Sequence, residues 1–395
     1  MVIVRWGGLL VLAALVGTLF TVVVRRPAAA PAAGAPEPAT LHEVMAALTP
    51  EQRVGQLFMA GLRSDAPAEE IAATEAAIRD LHAGNLVLYG TGWNSRAKIA
   101  ATVAPLQALA RAANGGVGLF VSGNQEGGSE GSFQAFYGDG FTPMPSARRQ
   151  AEGDPQQLEA DAARWGRELR AAGVNLNLAP VLDVVPAALG ARNDPIGRWQ
   201  RDYGATPEVV TTYGLAFARG MRAAPVAVAV KHFPGLGRVT GNTDFTVEGI
   251  VDDTFTGADD PDLAPFRAAI ADGVEFVMVS LAVYPRVDSR QAVFSPVILR
   301  ELLRDQLGFP HVIISDDVGA AVAVADRPPA ERALAFFHAG GDMLLTVQAS
   351  DIRPMTRAVL EAAAGDAAFR ADLDAAVARV LALKRRYGLL PTGSQ

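Results

Sequence analysis

The 395-residue chain contains no cysteine and only five histidines. The lack of cysteine excludes disulfides, thiolate catalysis, cysteine metal sites and the acylated amino-terminal cysteine of lipoproteins. The histidines are dispersed along the chain, and no group of histidines and carboxylates has the spacing of metal ligands. We therefore predict that the protein uses no metal and no organic cofactor.

Positive charge is also scarce. The chain has 35 lysines and arginines against 42 aspartates and glutamates, which gives a formal net charge of -7 and an isoelectric point near 5.4. Proteins that bind nucleic acid neutralise phosphates with a stripe of basic residues, and no such stripe occurs in this sequence. We therefore expect no nucleic-acid partner.

An uncharged apolar run of 19 residues, Trp6 to Val24, lies near the amino terminus, with an arginine before it and two arginines after it. This length is enough to span a bilayer. A cleaved signal peptide has a shorter apolar region followed by small residues, where this chain has arginines. Residues 1–26 are therefore predicted to be an uncleaved membrane anchor, with a cleaved signal segment as the alternative. Residues 27–40 are rich in alanine and proline and are predicted to be an extended linker.

Strand-like apolar runs alternate with helical patterns through residues 41–395, and no composition break marks a second linker. The predicted strands are Val54–Ala60, Asn85–Tyr89, Val117–Ser122, Val174–Leu182, Val226–Val230, Glu275–Ser280, His311–Ser315 and Asp342–Val347. The helical stretches include Glu69–His82, Gln156–Ala172, Pro207–Ala223, Pro296–Gln306, Pro329–Ala339 and Ala367–Tyr387. Eight alternating units predict an α/β fold, a single (β/α)8 TIM-type barrel. A doubly wound open sheet is the alternative, although no glycine-rich dinucleotide motif follows the first strand.

Polar residues stand at the ends of several predicted strands. They are Asn124 to Gly128 after the third strand, Asp183 after the fourth, Lys231 and His232 after the fifth, Ser280 after the sixth, and Asp316 and Asp317 after the seventh. Each one alone could be a strand-end cap or a solvated loop residue. Because the active site of a barrel lies at the carboxyl ends of its strands, their agreement predicts an active site there.

Five motifs in order resemble glycoside hydrolase family 3, in its barrel-only branch of bacterial β-N-acetylglucosaminidases. The resemblance covers about Leu41 to Tyr387, nearly all of the chain after the linker. The motifs are NQEGG at Asn124–Gly128, NLNLAPVLDV at Asn175–Val184, KHFPG at Lys231–Gly235, FSP at Phe294–Pro296 and LGFPHVIISDD at Leu307–Asp317.

The resemblance implies a retaining mechanism, in which one carboxylate attacks the anomeric carbon and a second group protonates the leaving oxygen. Asp316 matches the family nucleophile, whereas the adjacent Asp317 is expected to be a structural carboxylate. Lys231 and His232 match ligands of sugar hydroxyls, and Arg201 matches an arginine that holds the substrate. A strand-end histidine and a surface arginine without ligands are the alternatives for His232 and Arg201.

The chain departs from the family pattern at several positions. Asp244 stands where the family has its acid/base histidine, and Asn242 stands where an aspartate supports that histidine. Asn124 replaces a sugar-binding aspartate, while Leu236 and Leu281 replace histidines. Asp244 has either taken over proton donation, with a pKa raised by burial or by a second carboxylate, or is a turn residue of a Gly-Asn-Thr-Asp loop. The replacements also indicate an altered sugar preference, with Asn124 kept as a substrate-binding candidate.

Four loop aromatics are possible sugar platforms, with packing within the loops as the alternative. They are Trp93, Phe133, Phe136 and Tyr137.

Together, these features predict a retaining glycoside hydrolase acting on terminal β-linked N-acetylglucosamine or related amino sugars of peptidoglycan-type cell-wall glycans. Its barrel would lie outside the cytoplasm on a single-pass anchor in the cell membrane. Two alternatives stay open: a glycan-binding pseudoenzyme on the same fold, and a β-glycosidase for a different sugar.

Overall fold

The structure, a computed structural model, describes residues 40–391. The predicted anchor at residues 1–26 and all but the last residue of the predicted linker lie outside this range. Within residues 40–391, no helix is both long and apolar enough to cross a membrane.

Strands and helices alternate along the chain as the sequence predicts. The strands are β1 (Phe58–Arg63), β2 (Asn85–Tyr89), β3 (Phe120–Gly123), β4 (Leu176–Asn177), β5 (Ala227–Phe233), β6 (Phe276–Val279), β7 (Val283–Tyr284), β8 (Asp288–Gln291), β9 (Val312–Ser315) and β10 (Leu344–Thr346). The α-helices are α1 (Leu41–Ala47), α2 (Pro50–Gly55), α3 (Ala68–Asp80), α4 (Arg96–Ala113), α5 (Ala147–Gln150), α6 (Pro155–Ala171), α7 (Pro207–Ala223), α8 (Ala264–Ala271), α9 (Pro329–His338), α10 (Ile352–Gly365) and α11 (Ala367–Arg386). A π-helix, Val297–Gln306, precedes β9.

Eight of the strands form one parallel sheet in the order β10-β1-β2-β3-β4-β5-β6-β9. The two end strands are linked by a bridge between Ile314 and Met343 and by a 3.0 Å hydrogen bond from the Ser315 amide to the Met343 carbonyl. The sheet therefore curves into a nearly complete eight-stranded barrel, as the sequence predicts. The strand order lacks the reversal that a doubly wound sheet requires. β7 and β8 form a separate antiparallel hairpin.

The first strand begins later than predicted. Val54 and Gly55 belong to α2, and β1 starts at Phe58. Thr49 caps α2 in a capping box with Gln52, and Pro50 occupies the first turn. These signals start a helix at this point, so the apolar residues that suggested a strand lie on a helix instead.

Aromatic packing fills the amino-terminal end of the barrel. Phe120 at the start of β3 packs edge-on against Phe276 at the start of β6, with ring centroids 5.3 Å apart, and Tyr387 lies next to Phe120. The buried Lys384 of α11 donates 2.7 Å hydrogen bonds to the side-chain oxygen of Gln56 and to a backbone carbonyl. The loops at the opposite, carboxyl end of the strands are therefore the ones available to hold a ligand.

Candidate active site

One cavity of about 340 Å³ at the carboxyl end of the barrel collects all the residues that the sequence predicts for the site. They lie directly after β3, in the loop after β4, on β5 and in the loop after it, and directly after β9. The six residues are Asn124, Arg201, Lys231, His232, Asp244 and Asp316.

A buried ion triad forms part of the cavity wall. Glu126 accepts two 2.8 Å hydrogen bonds from the guanidinium of Arg201 and pairs with the Lys231 ammonium at 2.7 Å. Burial alone would raise the pKa of Glu126, but the two cations outweigh this effect and hold that pKa at about 2. Arg201 also lies over the ring of Phe133, with 4.5 Å between guanidinium carbon and ring centroid. The triad therefore fixes both cations at the edge of the cavity.

Asn124 contacts the triad through a hydrogen bond with Lys231. The ammonium of Lys231 donates a 2.9 Å hydrogen bond to the side-chain oxygen of Asn124. Burial lowers the pKa of Lys231, and Glu126 opposes this effect by stabilising the charged ammonium. Because Glu126 already neutralises one positive charge of the triad, an uncharged side chain at position 124 leaves one positive charge unbalanced within it.

His232 is held by Asp183. Its Nδ1 lies 2.7 Å from one carboxylate oxygen of Asp183, and the other oxygen accepts the amides of His232 at 3.2 Å and Leu236 at 2.7 Å. The carboxylate therefore fixes the imidazole orientation and leaves Nε2 as the ring nitrogen available to a ligand. The bond also identifies Asp183, which the sequence indicates only as a strand-end residue, as the partner of this histidine.

The two neighbouring aspartates after β9 have different environments. Asp316 lines the cavity, and one of its carboxylate oxygens accepts the Asp317 amide at 2.9 Å. Asp317 accepts backbone amides from Gly319 and Val347 at 2.9 Å and from Ala320 at 3.0 Å. Asp317, which also lines the cavity, therefore ties the end of β9 to the end of β10, whereas within residues 40–391 the Asp316 carboxylate accepts only the Asp317 amide.

Asp244 lies in a tight turn of the loop between β5 and α8. Its amide donates a 3.0 Å hydrogen bond to the side-chain oxygen of Asn242. Asn242 therefore supports the turn backbone and does not contact the Asp244 carboxylate. Among residues 40–391, the carboxylate itself has no hydrogen-bond or ion-pair partner, so it stays available at the cavity mouth.

The pKa of Asp244 is raised to about 6. The surrounding protein atoms are the largest cause, because they displace water, and the negative charge of Asp316 is the second. The side chain is nevertheless exposed at the mouth of the cavity, where water weakens both effects. A sugar ring that filled the cavity would remove this water and strengthen them. The raised pKa is that expected of a proton donor near neutral pH.

The long loop that carries Asp244 is anchored through Arg238. This arginine donates a 2.8 Å hydrogen bond to Asp262, also bonds Asp260, and lies 3.6 Å from Asp252. At the tip of the loop, the Val322 amide donates a 3.2 Å hydrogen bond to the Asp244 carbonyl. The loop that carries the candidate proton donor is therefore held both at its base and at its tip.

The structure separates the four aromatic candidates. Phe133 lines the cavity, whereas Trp93 and Phe136 are buried within the loops and Tyr137 bonds the Thr91 carbonyl. The sequence predictions missed Phe245, which lines the cavity beside Asp244. No pattern in the loop sequence distinguishes this phenylalanine from a packed one.

Leu236 and Leu281, which replace family histidines, are both buried. In the described part of the chain, no group of three or more histidines, cysteines or carboxylates could hold a metal ion.

We expect Glu126→Gln to lower the free energy of unfolding by about 3–5 kcal/mol, because two buried cations lose their counterion. The stabilisation depends on pH, since the pKa of Glu126 falls from an ordinary value of 4.5 to about 2 in the fold. It should be fully present above pH 4.5 and be lost as the pH falls toward 2. Urea unfolding followed by tryptophan fluorescence measures both effects.

The control is Glu361→Gln, which removes one partner of an exposed pair with Arg357. We expect this variant to change the unfolding free energy by less than about 0.5 kcal/mol. Equal changes in the two variants would show that the triad does not stabilise the fold.

Comparisons with known proteins cover the same part of the chain that forms the barrel. Residues 49–383 match the family model described as the N-terminal domain of glycosyl hydrolase family 3. A β-hexosaminidase from Methylococcus capsulatus is 33% identical over 287 residues, which cover 71% of this chain and 79% of that protein.

Two solved structures are similar as well. The crystal structure of a β-N-acetylhexosaminidase from Beutenbergia cavernae has a TM-score of 0.81 and 44% identity, covering 86% of this chain and 99% of that one. A glycoside hydrolase family 3 β-N-acetylglucosaminidase from Paenibacillus has a TM-score of 0.73 and 30% identity, covering 88% of this chain and 64% of that one.

Proposed function

Because the chain belongs to glycosyl hydrolase family 3, we propose that it is a retaining glycoside hydrolase that removes terminal β-linked N-acetylglucosamine or a related amino sugar from cell-wall glycans. The observation that carries the proposal is the pair of carboxylates, Asp316 and Asp244, lining one cavity. The names of the relatives, β-hexosaminidase and β-N-acetylglucosaminidase, support the sugar.

In the proposed reaction, Asp316 attacks the anomeric carbon while the bond to the leaving oxygen breaks, and the proton of Asp244 moves to that oxygen. Water then gives a proton to the Asp244 carboxylate and attacks the same carbon, which releases the sugar and frees Asp316. Lys231, His232 and Asn124 would bind sugar hydroxyls and orient the ring. The ion pair with Glu126 supports this role because it limits the movement of Lys231.

A substrate panel tests the proposal. We expect the full chain to release aglycone from aryl β-N-acetylglucosaminide faster than from the β-N-acetylgalactosaminide and the β-glucoside. Faster release from another sugar would support the β-glycosidase alternative. No turnover of any glycoside, together with measurable binding of glycan fragments by calorimetry, would contradict the hydrolase and support a glycan-binding protein.

We also propose that residues 1–26 anchor the protein in the cell membrane, with the barrel outside the cytoplasm and residues 27–40 as the tether. The uncharged run from Trp6 to Val24 supports the anchor. We expect the protein in the membrane fraction of its native cells, where protease added to cells without their wall digests the barrel. A shortened protein in the medium would instead indicate a cleaved signal.

A further inference from the structure

The most exposed large apolar side chain of residues 40–391 lies at the mouth of the candidate active site. Phe245, which directly follows Asp244, is 77% exposed and lines the same cavity as Asp316. Val322, on the neighbouring loop, is 41% exposed. A single exposed apolar residue is common on protein surfaces, so it is the position of Phe245 at the cavity, directly after Asp244, that points to a ligand.

Backbone hydrogen bonds hold the turn that carries Phe245. The Phe245 amide donates a 2.9 Å hydrogen bond to the Asn242 carbonyl, and the Asp244 carbonyl accepts the Val322 amide at 3.2 Å. Both bonds are made by the peptide group between Asp244 and Phe245, so they fix the backbone directly before the ring. The exposure of Phe245 is therefore a consequence of the turn that also positions Asp244.

Depth in the cavity indicates which part of a substrate reaches Phe245. Lys231 and His232, the proposed ligands of the glycone, are only 2% and 4% exposed and lie at the end of β5. Asp244 must contact the leaving oxygen in order to protonate it. Phe245 directly follows Asp244 and is exposed to solvent. It is therefore positioned to contact the leaving group, which lies beyond that oxygen.

We propose that Phe245 is the platform on which the sugar ring of the leaving group stacks. The C–H face of a pyranose is apolar and lies favourably on an aromatic ring. This inference rests on the proposed function, because it takes Asp244 as the group beside the leaving oxygen. It defines the substrates as saccharides with a sugar on the reducing side of the cleaved bond, in preference to glycosides of small alcohols.

The test compares two substrates that differ only in the leaving group: the β-1,4-linked disaccharide of N-acetylglucosamine and methyl β-N-acetylglucosaminide. We expect Phe245→Ala to lower kcat/KM about tenfold for the disaccharide and less than about twofold for the methyl glycoside. Phe245→Trp should retain the preference for the disaccharide, because it keeps a ring. Val209→Ala, which truncates an exposed apolar residue of α7, is the control and should change neither value.

Binding is measured in parallel, by calorimetry with Asp316→Asn as the background. Adding Phe245→Ala should weaken binding of the disaccharide about tenfold and leave binding of N-acetylglucosamine unchanged. If this difference is found without turnover in the wild type, the proposed hydrolysis is wrong and the platform stands. If turnover is found and the two substrates respond equally to Phe245→Ala, hydrolysis stands and the platform is wrong. A change in molecular mass in solution without a change in substrate preference would also overturn the platform, because the ring would then cover a protein surface.

Discussion

Asp316→Asn should reduce kcat for every glycoside that the protein cleaves, on the order of 10⁴-fold or more. An amide oxygen is a far weaker nucleophile than a carboxylate, so the covalent intermediate would no longer form. The loss should be equally severe for activated and natural leaving groups, because both require attack on the same carbon. Steady-state assays with an aryl glycoside and a disaccharide measure the two losses.

Asp317→Asn is the matched control, because it makes the same chemical change at the adjacent residue. Asp317 accepts three backbone amides, two directly after β9 and one directly after β10, and an asparagine amide cannot accept at both of its side-chain positions. We therefore expect Asp317→Asn to lower the melting temperature by several degrees while changing kcat less than about tenfold. If Asp317→Asn abolished activity and Asp316→Asn did not, the assignment of the nucleophile would be wrong.

Trapping the covalent glycosyl enzyme provides a second check on the assignment of Asp316 as the nucleophile. A slow N-acetylglucosaminide with a fluorine on C5, across the ring oxygen from the anomeric carbon, destabilises the oxocarbenium-like transition states and lets the glycosyl enzyme accumulate. Mass spectrometry of peptides should then find the added sugar on Asp316. A label on Asp317 or Asp244 would contradict the proposed roles.

The positions of the site residues could be predicted because they depend on strand ends. In a parallel barrel all carboxyl ends lie at one rim, so Asn124, Lys231 and Asp316 meet there although they are far apart in the sequence. The pairing of Glu126 with Lys231 and Arg201 was not predicted. It depends on side-chain directions in the loop after β3, which the order of residues does not specify.

Loop geometry limited the rest of the prediction. The β1 boundary was wrong because a capping box and a proline start a helix inside an apolar run. Phe245 was missed because its exposure results from hydrogen bonds to Asn242 and to the separate loop at Val322. Whether Asp244 is a turn residue or a proton donor was also left open by the sequence. The structure shows that its backbone forms a turn and that its carboxylate has no partner within residues 40–391.

Asp244→Asn should separate these two roles. If Asp244 protonates the leaving oxygen, we expect kcat/KM for the disaccharide to fall about 10²- to 10⁴-fold, because its leaving alkoxide needs a proton. An activated aryl glycoside needs little protonation, so its kcat/KM should fall by less than about tenfold. Asp253→Asn is the control, since it changes an exposed aspartate of the same loop, and both substrates should retain full activity.

The pH dependence gives an independent measure of the same role. Asp244 donates a proton only while it is protonated, and its pKa is about 6. In the wild type, kcat/KM for the disaccharide should therefore decline as the pH rises through about 6, and this decline should be absent in Asp244→Asn.

Azide should also restore kcat of the variant on the aryl glycoside, since this anion attacks the glycosyl intermediate without a general base. Equal losses of kcat/KM for both substrates, an unchanged pH profile and no effect of azide would show that Asp244 acts only as a turn residue. Proton donation would then have to come from another group that lines the cavity, and His232 would be the first to test because its Nε2 is available to a ligand.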